Sequence, residues 1–312
     1  MKKFLIYALG LIILVVAILP FITGNLEKEV LSSEARGGLE GSFIELSDGY
    51  THYELKGERD AKTIVLVHGN AAPYFTWDYN FDELVEAGYR VLRYDIYGHG
   101  YSDRPDLEVF NRDLYDRQLF ELMEKLEIEY PVYLVGTSQG GSISAYFAAK
   151  HPEKVEKIAF LAPLFDSISG ASRVELLKKK FIGEYLMSLM GDKVITDLSN
   201  VLYSDEKKEE LAKKLEKQTY YKGKKRAVLA NIRGNALDDA TPYYEQIKEQ
   251  GIPVLLTWGE NDRSISLDSM ERLLELMPDT EFHKIEKASH LAHYEFSEEI
   301  NLLLIDFFKN AN

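Results

Sequence analysis

The sequence predicts an α/β fold in which helices cover both faces of a mostly parallel sheet. Strand-forming segments alternate with segments of helical periodicity, which is typical of parallel strands joined by crossover helices. The run at 63–67, Thr-Ile-Val-Leu-Val, has no polar interruption, as expected of a strand buried on both faces. The turn Gly-Thr-Ser-Gln-Gly at 136–140 lies between a strand and a helix of small and apolar residues.

Eight segments are predicted as strands. They lie at 42–46, 51–55, 63–67, 90–94, 132–135, 158–161, 254–258 and 281–285. Ser-Asp-Gly at 47–49 indicates that the first two form a hairpin. Sequence patterns also predict helices, at 77–87, 112–126, 141–150 and 297–309.

The stretch 164–235 breaks the alternation, because it has helical patterns and no convincing strand. It carries 15 Lys and Arg against 10 Asp and Glu, in a chain whose net charge is −14. A helical insertion after the sixth strand predicts a lid over the strand ends. The predicted domains are an N-terminal segment at 1–24, a polar tether at 25–38, a core at 39–163 and 236–312, and the lid at 164–235.

The composition excludes several classes of protein. A net charge of −14 argues against a general nucleic-acid binder, because phosphate contacts need clustered Lys and Arg. The chain has no cysteine, which excludes disulfides, thiolate catalysis and cysteine-ligated metals. No pair of His, Asp or Glu has the spacing of a metal site. We therefore expect neither a metal nor a cofactor, and the sequence leaves the oligomeric state open.

The N-terminal segment predicts attachment to a membrane. Lys2 and Lys3 precede an uncharged run at 4–22, which as a helix spans roughly 28 Å, close to the hydrocarbon thickness of a bilayer. A cleavable signal usually has a shorter apolar region, of about 7–15 residues, and a nearby cleavage site. The run therefore favours an uncleaved single-pass anchor in the cell membrane, with cleavage and secretion as the alternative. In both cases the rest of the chain lies outside the cytoplasm.

Three side chains at strand ends are candidates for nucleophilic catalysis. The glycine-flanked turn between strand and helix is strained and lifts the Ser138 hydroxyl above the sheet edge. A serine hydroxyl needs a positioned base, and the base needs an orienting carboxylate. Asp262 and His290 each follow a predicted strand. Since the carboxyl ends of parallel strands meet at one rim, we expect the three side chains to converge there.

Two backbone N–H groups are candidate donors to the oxyanion of a tetrahedral intermediate. One belongs to Gln139, directly after the serine, and the other to Asn70 in the loop that follows the strand at 63–67. We expect His68 and His99 to donate hydrogen bonds that stabilise their loops and not to act in catalysis. Asp238 or Asp239 is the alternative to Asp262 as the acid, and His293 is the alternative to His290 as the base.

Five motifs in this order resemble those of the α/β-hydrolase superfamily. They are His-Gly-Asn at 68–70, Asp-Ile-Tyr-Gly-His-Gly-Tyr-Ser at 95–102, the Ser138 turn, Gly-Glu-Asn-Asp at 259–262 and Ser-His at 289–290. The resemblance runs from about residue 42 to the C-terminus. It is to the lidded esterase, monoacylglycerol-lipase and carbon–carbon bond hydrolase branches. It implies a mostly parallel eight-stranded α/β-hydrolase sheet with helices on both faces and a helical lid.

The resemblance also implies an activity. Dehalogenases and epoxide hydrolases of this superfamily use an aspartate at the turn, so Ser138 speaks against both. We expect a carboxylesterase or lipase-type enzyme that cleaves small acyl or lipid-like esters through an acyl-enzyme. A carbon–carbon bond hydrolase with the same triad is the first alternative. A non-catalytic binding protein of this fold is the second, and it would need a damaged triad.

Two features of the lid have competing interpretations. An apolar stripe is either core or the lining of an acyl pocket, and comprises Phe181, Tyr185, Leu186, Leu189 and Met190. The basic segments 178–180 and 222–226 form either a solvated face or a surface for anionic lipid headgroups.

Overall fold

One eight-stranded sheet organises the computed structural model, which describes residues 25–70, 73–167 and 172–310 and scattered positions from 4 to 20. The strands are β1 (Ser42–Leu46), β2 (Gly49–Lys56), β3 (Thr63–Val67), β4 (Arg90–Tyr94), β5 (Val132–Thr137), β6 (Val155–Leu161), β7 (Val254–Gly259) and β8 (Glu281–Ile285). Their order in the sheet is β1-β2-β4-β3-β5-β6-β7-β8. β2 pairs antiparallel with β1 and β4, and every other pair is parallel. The predicted fold class is confirmed.

The register brings the carboxyl ends of four strands to one edge. Val67 of β3 lies opposite Gly136 of β5. Further along the sheet, β5 pairs with β6, β6 with β7, and β7 with β8, whose last residue Ile285 lies opposite Gly259. The loops after β3, β5, β7 and β8 therefore begin at the same rim.

Helices cover both faces of this sheet. Between residues 25 and 310 they are Ser33–Gly37, Asp78–Glu86, Arg112–Lys125, Gln139–Lys150, Ser172–Lys178, Ile182–Thr196, Asp205–Thr219, Lys224–Arg233, Thr241–Gln250, Leu267–Leu276, Ala292–Glu295 and Ser297–Lys309. Alternate residues of a strand face opposite sides. Val65 accordingly belongs to the core cluster that contains Leu119 and Ile143, whereas Ile64 belongs to the cluster that contains Phe81 and Leu304.

The lid region is helical and contains no strand among its described residues. It has a small core of its own, formed by Met187, Ile195, Val228 and Leu229. The predicted apolar stripe is not fully buried, since Phe181 is 81% exposed and Met190 is 54% exposed. Tyr185, Leu186 and Leu189 are half-buried, and the core of the lid instead contains Met187, which is not part of the stripe.

The segment predicted as a tether is docked on the lid. The Lys28 N–H donates to Tyr220 O at 2.7 Å, and the Lys222 N–H donates to Glu29 O at 2.7 Å. The Leu26 N–H donates to the Asp192 carboxylate at 3.0 Å. The donors of all three bonds and the acceptors of two of them are main-chain groups, which every sequence carries, so the composition of the segment did not predict the contact. We call residues 25–32 the strap.

The predicted N-terminal anchor lies largely outside the described residues. The positions described between 4 and 20 are helical, and the large apolar side chains among them include Phe4, Tyr7 and Leu11, which are exposed. Among the described residues, no helix combines the length and the apolar character needed to cross a membrane.

Candidate active site

Ser138 lies at the sharp turn between β5 and the helix Gln139–Lys150. Its backbone has φ 52° and ψ −123°, a region that residues other than glycine rarely occupy. The main chain is tied on both sides, because Ser138 O accepts hydrogen bonds from the N–H groups of Gly141 at 2.9 Å and Leu164 at 2.8 Å. Strain held in place by surrounding bonds is typical of functional sites.

Two glycines permit the close packing of this turn. A Cβ on Gly69 would come within 2.9 Å of Ser138 Cβ, so glycine lets the loop after β3 approach the serine. A Cβ on Gly140 would come within 2.2 Å of Val67 O, so glycine lets the helix pack against the end of β3. Both contacts are closer than any side chain tolerates.

Asp262 and His290 form a buried hydrogen-bonded pair. Asp262 Oδ2 lies 2.8 Å from His290 Nδ1. The other carboxylate oxygen, Oδ1, accepts from the N–H groups of Ser264 at 2.8 Å and Ile265 at 3.1 Å. A bond from the Asn261 N–H to Ala288 O, at 2.9 Å, joins the two loops. This arrangement fixes the carboxylate, and His290 Nε2 has no hydrogen-bond partner among the residues that the structure describes.

Ser138 and His290 face one cavity of about 170 Å³, which we call the Ser138 cavity. Its lining comprises Gly69, Asn70, Ser138, Gln139, Leu164, Val201, Leu237, Ser264, Ile265, His290 and Leu291. No Lys, Arg, Asp or Glu is among these described residues. Ser138 Oγ makes no hydrogen bond within the described chain, so its proton is not committed to another acceptor; catalytic bonds often tighten only when substrate is bound.

The two N–H groups predicted as oxyanion donors, those of Asn70 and Gln139, belong to residues that line the Ser138 cavity. Neither N–H donates a hydrogen bond to any residue that the structure describes. Asn70 is half-buried, and Gln139 is the first residue of a helix, where an N–H has no partner within the helix, so both groups are available to a bound oxygen.

The alternative acid and base occupy structural positions. Asp239 Oδ1 accepts from the Thr241 N–H at 3.0 Å, where the helix Thr241–Gln250 begins. His293 is fully buried and packs against Trp77, with 4.2 Å between the ring centroids and 34° between the ring planes. Neither of its ring nitrogens has a hydrogen-bond partner among the described residues. Burial, with a smaller effect of His290, lowers the pKa of His293 to about 3, so the ring is neutral.

His68 and His99 brace the loops behind the site. His68 Nε2 accepts from the Ile96 N–H at 2.9 Å, and burial lowers the pKa of His68 to about 4. Burial, with the nearby Lys224 as the next cause, holds the pKa of His99 well below its ordinary value.

Asp95 stabilises the same group of loops. Burial would raise the pKa of Asp95, but the hydrogen bond and charge of His52 hold it below its ordinary value. The Asp95 carboxylate in turn accepts from the N–H groups of Tyr74 and Tyr101.

Sequence reasoning missed one polar group at the site, the amide of Asn231. It lies on the lid helix Lys224–Arg233 and is hydrogen-bonded to the side chains of Asn70 and Gln139. It also missed Val201, which the lid contributes to the Ser138 cavity. No motif or spacing identifies either residue, because each reaches the site only through the docking of the lid.

The sequence and the fold of this chain match those of known proteins. The model of the alpha/beta hydrolase fold matches residues 62–297. A 2-hydroxy-6-oxononadienedioate/2-hydroxy-6-oxononatrienedioate hydrolase of Escherichia coli is 30% identical over 269 residues, which cover 82% of this chain and 90% of that protein.

Solved structures share the fold at lower sequence identity. An enol-lactonase from Burkholderia xenovorans is 21% identical with a TM-score of 0.72, over 86% of this chain and 100% of that one. A thermophilic esterase from Thermogutta terrifontis is 19% identical with a TM-score of 0.73, over 86% of this chain and 98% of that one. With its strained serine turn, its eight-stranded sheet and these matches, the chain belongs to the alpha/beta hydrolase family.

Proposed function

We propose that this hydrolase cleaves carboxylic esters with small, uncharged acyl groups through an acyl-enzyme on Ser138. The observation that carries the proposal is the shared cavity, which is lined by Ser138, by the Asp262-bound His290 and by Asn70 and Gln139, whose N–H groups have no partner among the described residues.

The chemistry assigned to these groups is acyl transfer. Ser138 Oγ attacks the ester carbonyl carbon, and its proton passes to His290 Nε2. Asp262, bonded to Nδ1, holds the tautomer and stabilises the imidazolium. The N–H groups of Asn70 and Gln139 bind the oxyanion. The alkoxide leaves with the proton from His290, and a water molecule then cleaves the acyl-enzyme by the same steps.

The size and polarity of the Ser138 cavity support the substrate class. Its volume of about 170 Å³ is below the roughly 300–1,000 Å³ of pockets that hold drug-sized ligands. Its apolar lining includes Leu164, Leu237 and Ile265, and its described lining residues provide no cation. A carboxylate buried there would lose its hydration without gaining a counter-charge. These features favour a short acyl chain over an anionic one.

A panel of p-nitrophenyl esters, from acetate to octanoate, tests the proposal. We expect the highest kcat/KM for the shortest chains and labelling of Ser138 by a fluorophosphonate. Ser138→Ala should lower kcat by roughly 10⁶-fold, since the triad acts as a unit. Turnover by Ser138→Ala close to that of the unaltered protein would contradict it.

Carbon–carbon bond hydrolysis is the second candidate. It is favoured by the 30% identity to hydrolases whose names describe a dienedioate substrate. A dienedioate has two carboxylates, however, and the described lining of the Ser138 cavity has no Lys or Arg to meet them. Parallel assays with p-nitrophenyl acetate and a dienedioate separate the candidates. A kcat/KM for the dienedioate above that for the ester would establish the second.

We also propose that the segment 1–24 anchors the protein in the cell membrane, with the catalytic domain outside the cytoplasm. The uncharged run at 4–22 and the exposed apolar side chains at its described positions support this. The strap begins at Asn25, and three extended residues reach about 10 Å. An anchor ending near residue 22 would therefore hold the lid close to the bilayer surface. Cleavage of the segment and secretion are the alternative.

Membrane fractionation tests the anchor. The full chain should need detergent for extraction, whereas a variant lacking residues 1–24 should be soluble and active because it keeps the strap. Mature protein in the culture medium that begins between residues 25 and 36 would show that the segment is a cleaved signal.

A further inference from the structure

We propose that Asn231, on the lid, is a positioning residue that sets the separation of the two oxyanion donors. The proposal rests on the proposed serine hydrolase activity. Asn231 is fully buried on the lid helix Lys224–Arg233. It does not line the Ser138 cavity, so it acts through Asn70 and Gln139 and does not touch substrate.

The Asn231 amide uses every hydrogen bond that it is able to form. Its Nδ2 donates to Asn70 Oδ1 at 3.2 Å and to Gln139 Oε1 at 3.0 Å. Its Oδ1 accepts from Gln139 Nε2 at 2.8 Å and from Tyr115 Oη at 2.9 Å. An asparagine amide has two donor hydrogens and two acceptor lone pairs. The orientation of Asn231 is therefore fully determined by its partners.

Two of those partners are the residues that carry the oxyanion donors. Gln139 follows Ser138 and begins the helix Gln139–Lys150, and Asn70 lies in the loop after β3. The two Asn231–Gln139 bonds form a paired amide contact, and the bond to Asn70 extends it across the turn. One side chain therefore ties the loop that carries the first donor to the helix that carries the second.

The Asn70 side chain is held from the opposite side as well. His99 Nε2 lies 3.1 Å from Asn70 Oδ1, so the His99 tautomer with its proton on Nε2 donates to the same oxygen that accepts from Asn231. The lid helix also contacts the loop that carries His99, because Lys224 Nζ, seven residues before Asn231, donates to Gly98 O at 3.1 Å. Buried polar groups of the lid thus contact the core loops that carry Asn70 and Gly98.

Oxyanion stabilisation depends closely on the position of the donors. Removal of one donor typically lowers kcat by 10²–10³-fold, and functional groups must be held within about 0.5 Å of the productive geometry. Loss of the Asn231 contacts leaves both N–H groups in place but frees the Asn70 loop. We therefore expect a loss smaller than that of a removed donor. Displacement of the lid helix from the core would have the same effect.

The direct test replaces Asn231 with leucine, which has nearly the same shape and no polar atoms. Asn231→Leu should lower kcat for p-nitrophenyl acetate by about 10- to 100-fold, with KM changed by less than about threefold, because only transition-state binding is lost. Asn231→Asp, which keeps the shape but replaces the donor with an acceptor, should lose at least as much. Affinity for a trifluoromethyl ketone, whose adduct with Ser138 carries an oxyanion, should fall in proportion to kcat/KM.

A matched control separates positioning from stability. Asn301 is also a buried asparagine, whose amide bonds to Asn80 and to Tyr79 O at 2.7 and 2.9 Å, away from the Ser138 cavity. Asn301→Leu should lower the unfolding temperature while leaving kcat and the inhibitor affinity unchanged. Gln139→Met removes the amide contact from the core side and keeps the Gln139 N–H. Its effect should match that of Asn231→Leu, and the double variant should lose no more than either single one.

The outcomes distinguish this proposal from the proposed function. If Asn231→Asp and Gln139→Met are folded and keep kcat within about threefold of the unaltered protein, the positioning role is overturned even where a fluorophosphonate labels Ser138. The same conclusion follows if Asn301→Leu lowers kcat as much as Asn231→Leu. If Ser138→Ala retains turnover, the proposed function has failed, and the oxyanion role of Asn231 fails with it.

Discussion

The rim of the sheet and the lid build their parts of the site in different ways. At the rim, Asp262 is fixed by main-chain N–H groups of its own turn, two and three residues further along the chain. On the lid, Asn231 is fixed by side chains that are 92, 116 and 161 residues away in sequence. Local main-chain bonds follow from a short motif, whereas long-range side-chain bonds follow from docking. The rim can therefore be recognised in a sequence, and the lid contribution cannot.

The largest expected effect on kcat comes from replacing the base at the rim of the sheet, His290. His290→Gln should lower kcat for p-nitrophenyl acetate by roughly 10⁶-fold, as Ser138→Ala does, because it removes the base of a triad that acts as a unit while leaving the cavity in place. His293→Phe, at the neighbouring buried histidine, should keep kcat near that of the unaltered protein. Circular dichroism confirms that both variants are folded. A larger loss for His293→Phe than for His290→Gln would reverse their assignment.

A second prediction tests how the lid is held. Burial lowers the pKa of Lys224 to about 7, Arg104 adds to the decrease, and Asp95 and Glu27 oppose it. The unfolded lysine titrates near its ordinary value, so between about pH 7 and 10 the unfolded state binds more protons than the folded state. The free energy of unfolding should therefore rise with pH over this range, by up to about 1.4 kcal/mol per pH unit from this group.

Urea unfolding of Lys224→Met between pH 7 and 10 measures this contribution. The variant should show a flatter dependence on pH than the unaltered protein, because the group that titrates differently is gone. Lys213, an exposed lid lysine, offers the matched control Lys213→Met, which should keep the full slope. Equal slopes for all three proteins would show that Lys224 stays charged in the folded state.

A third prediction concerns stability at acidic pH and tests a buried residue of the core, His293. The pKa of His293 is lowered by burial to about 3, so the folded protein keeps this ring neutral. Below pH 6.5 the unfolded state binds a proton that the folded state does not, and stability is lost as the pH falls towards 3. His293→Phe should reduce this loss by up to about 1.4 kcal/mol per pH unit in urea titrations from pH 6.5 to 4. An unchanged slope would mean that the ring titrates while folded.

The smallest expected effect concerns substrate choice. Val201 is the residue that the short 3₁₀ helix Asp197–Val201 of the lid contributes to the Ser138 cavity. Val201→Ala should raise kcat/KM for the butyrate ester relative to the acetate ester by about tenfold, since space for one methylene is worth about 1–3 kcal/mol. Val194→Ala, at an exposed lid position, is the control and should leave the ratio unchanged. The same ratio in both variants would show that the lid does not limit chain length.

The segment 25–38, which includes the strap, is one whose structure its composition did not predict. Residues 25–38 are polar and charged, and this composition predicts a free tether. In the structure Glu29 of the strap forms a parallel bridge with Tyr221 of the lid, and beyond the strap Arg36 pairs with Asp103 of a core loop. Phe181 shows the converse, because its helical spacing with other apolar residues predicts burial but its side chain is exposed. Both outcomes depend on how the lid helices are oriented, which no local pattern specifies.

The sequence by itself determined the sheet, the serine turn and the residues that follow the strands. Uninterrupted apolar runs, glycines and strand-end motifs are local, and parallel strands bring their carboxyl ends to one rim whatever covers them. Only the tertiary structure decided that Asn231 joins Asn70 to Gln139, that Lys224 is buried and that the strap lies on the lid. These contacts join residues far apart in sequence, and they form only when the lid settles on the core in one orientation.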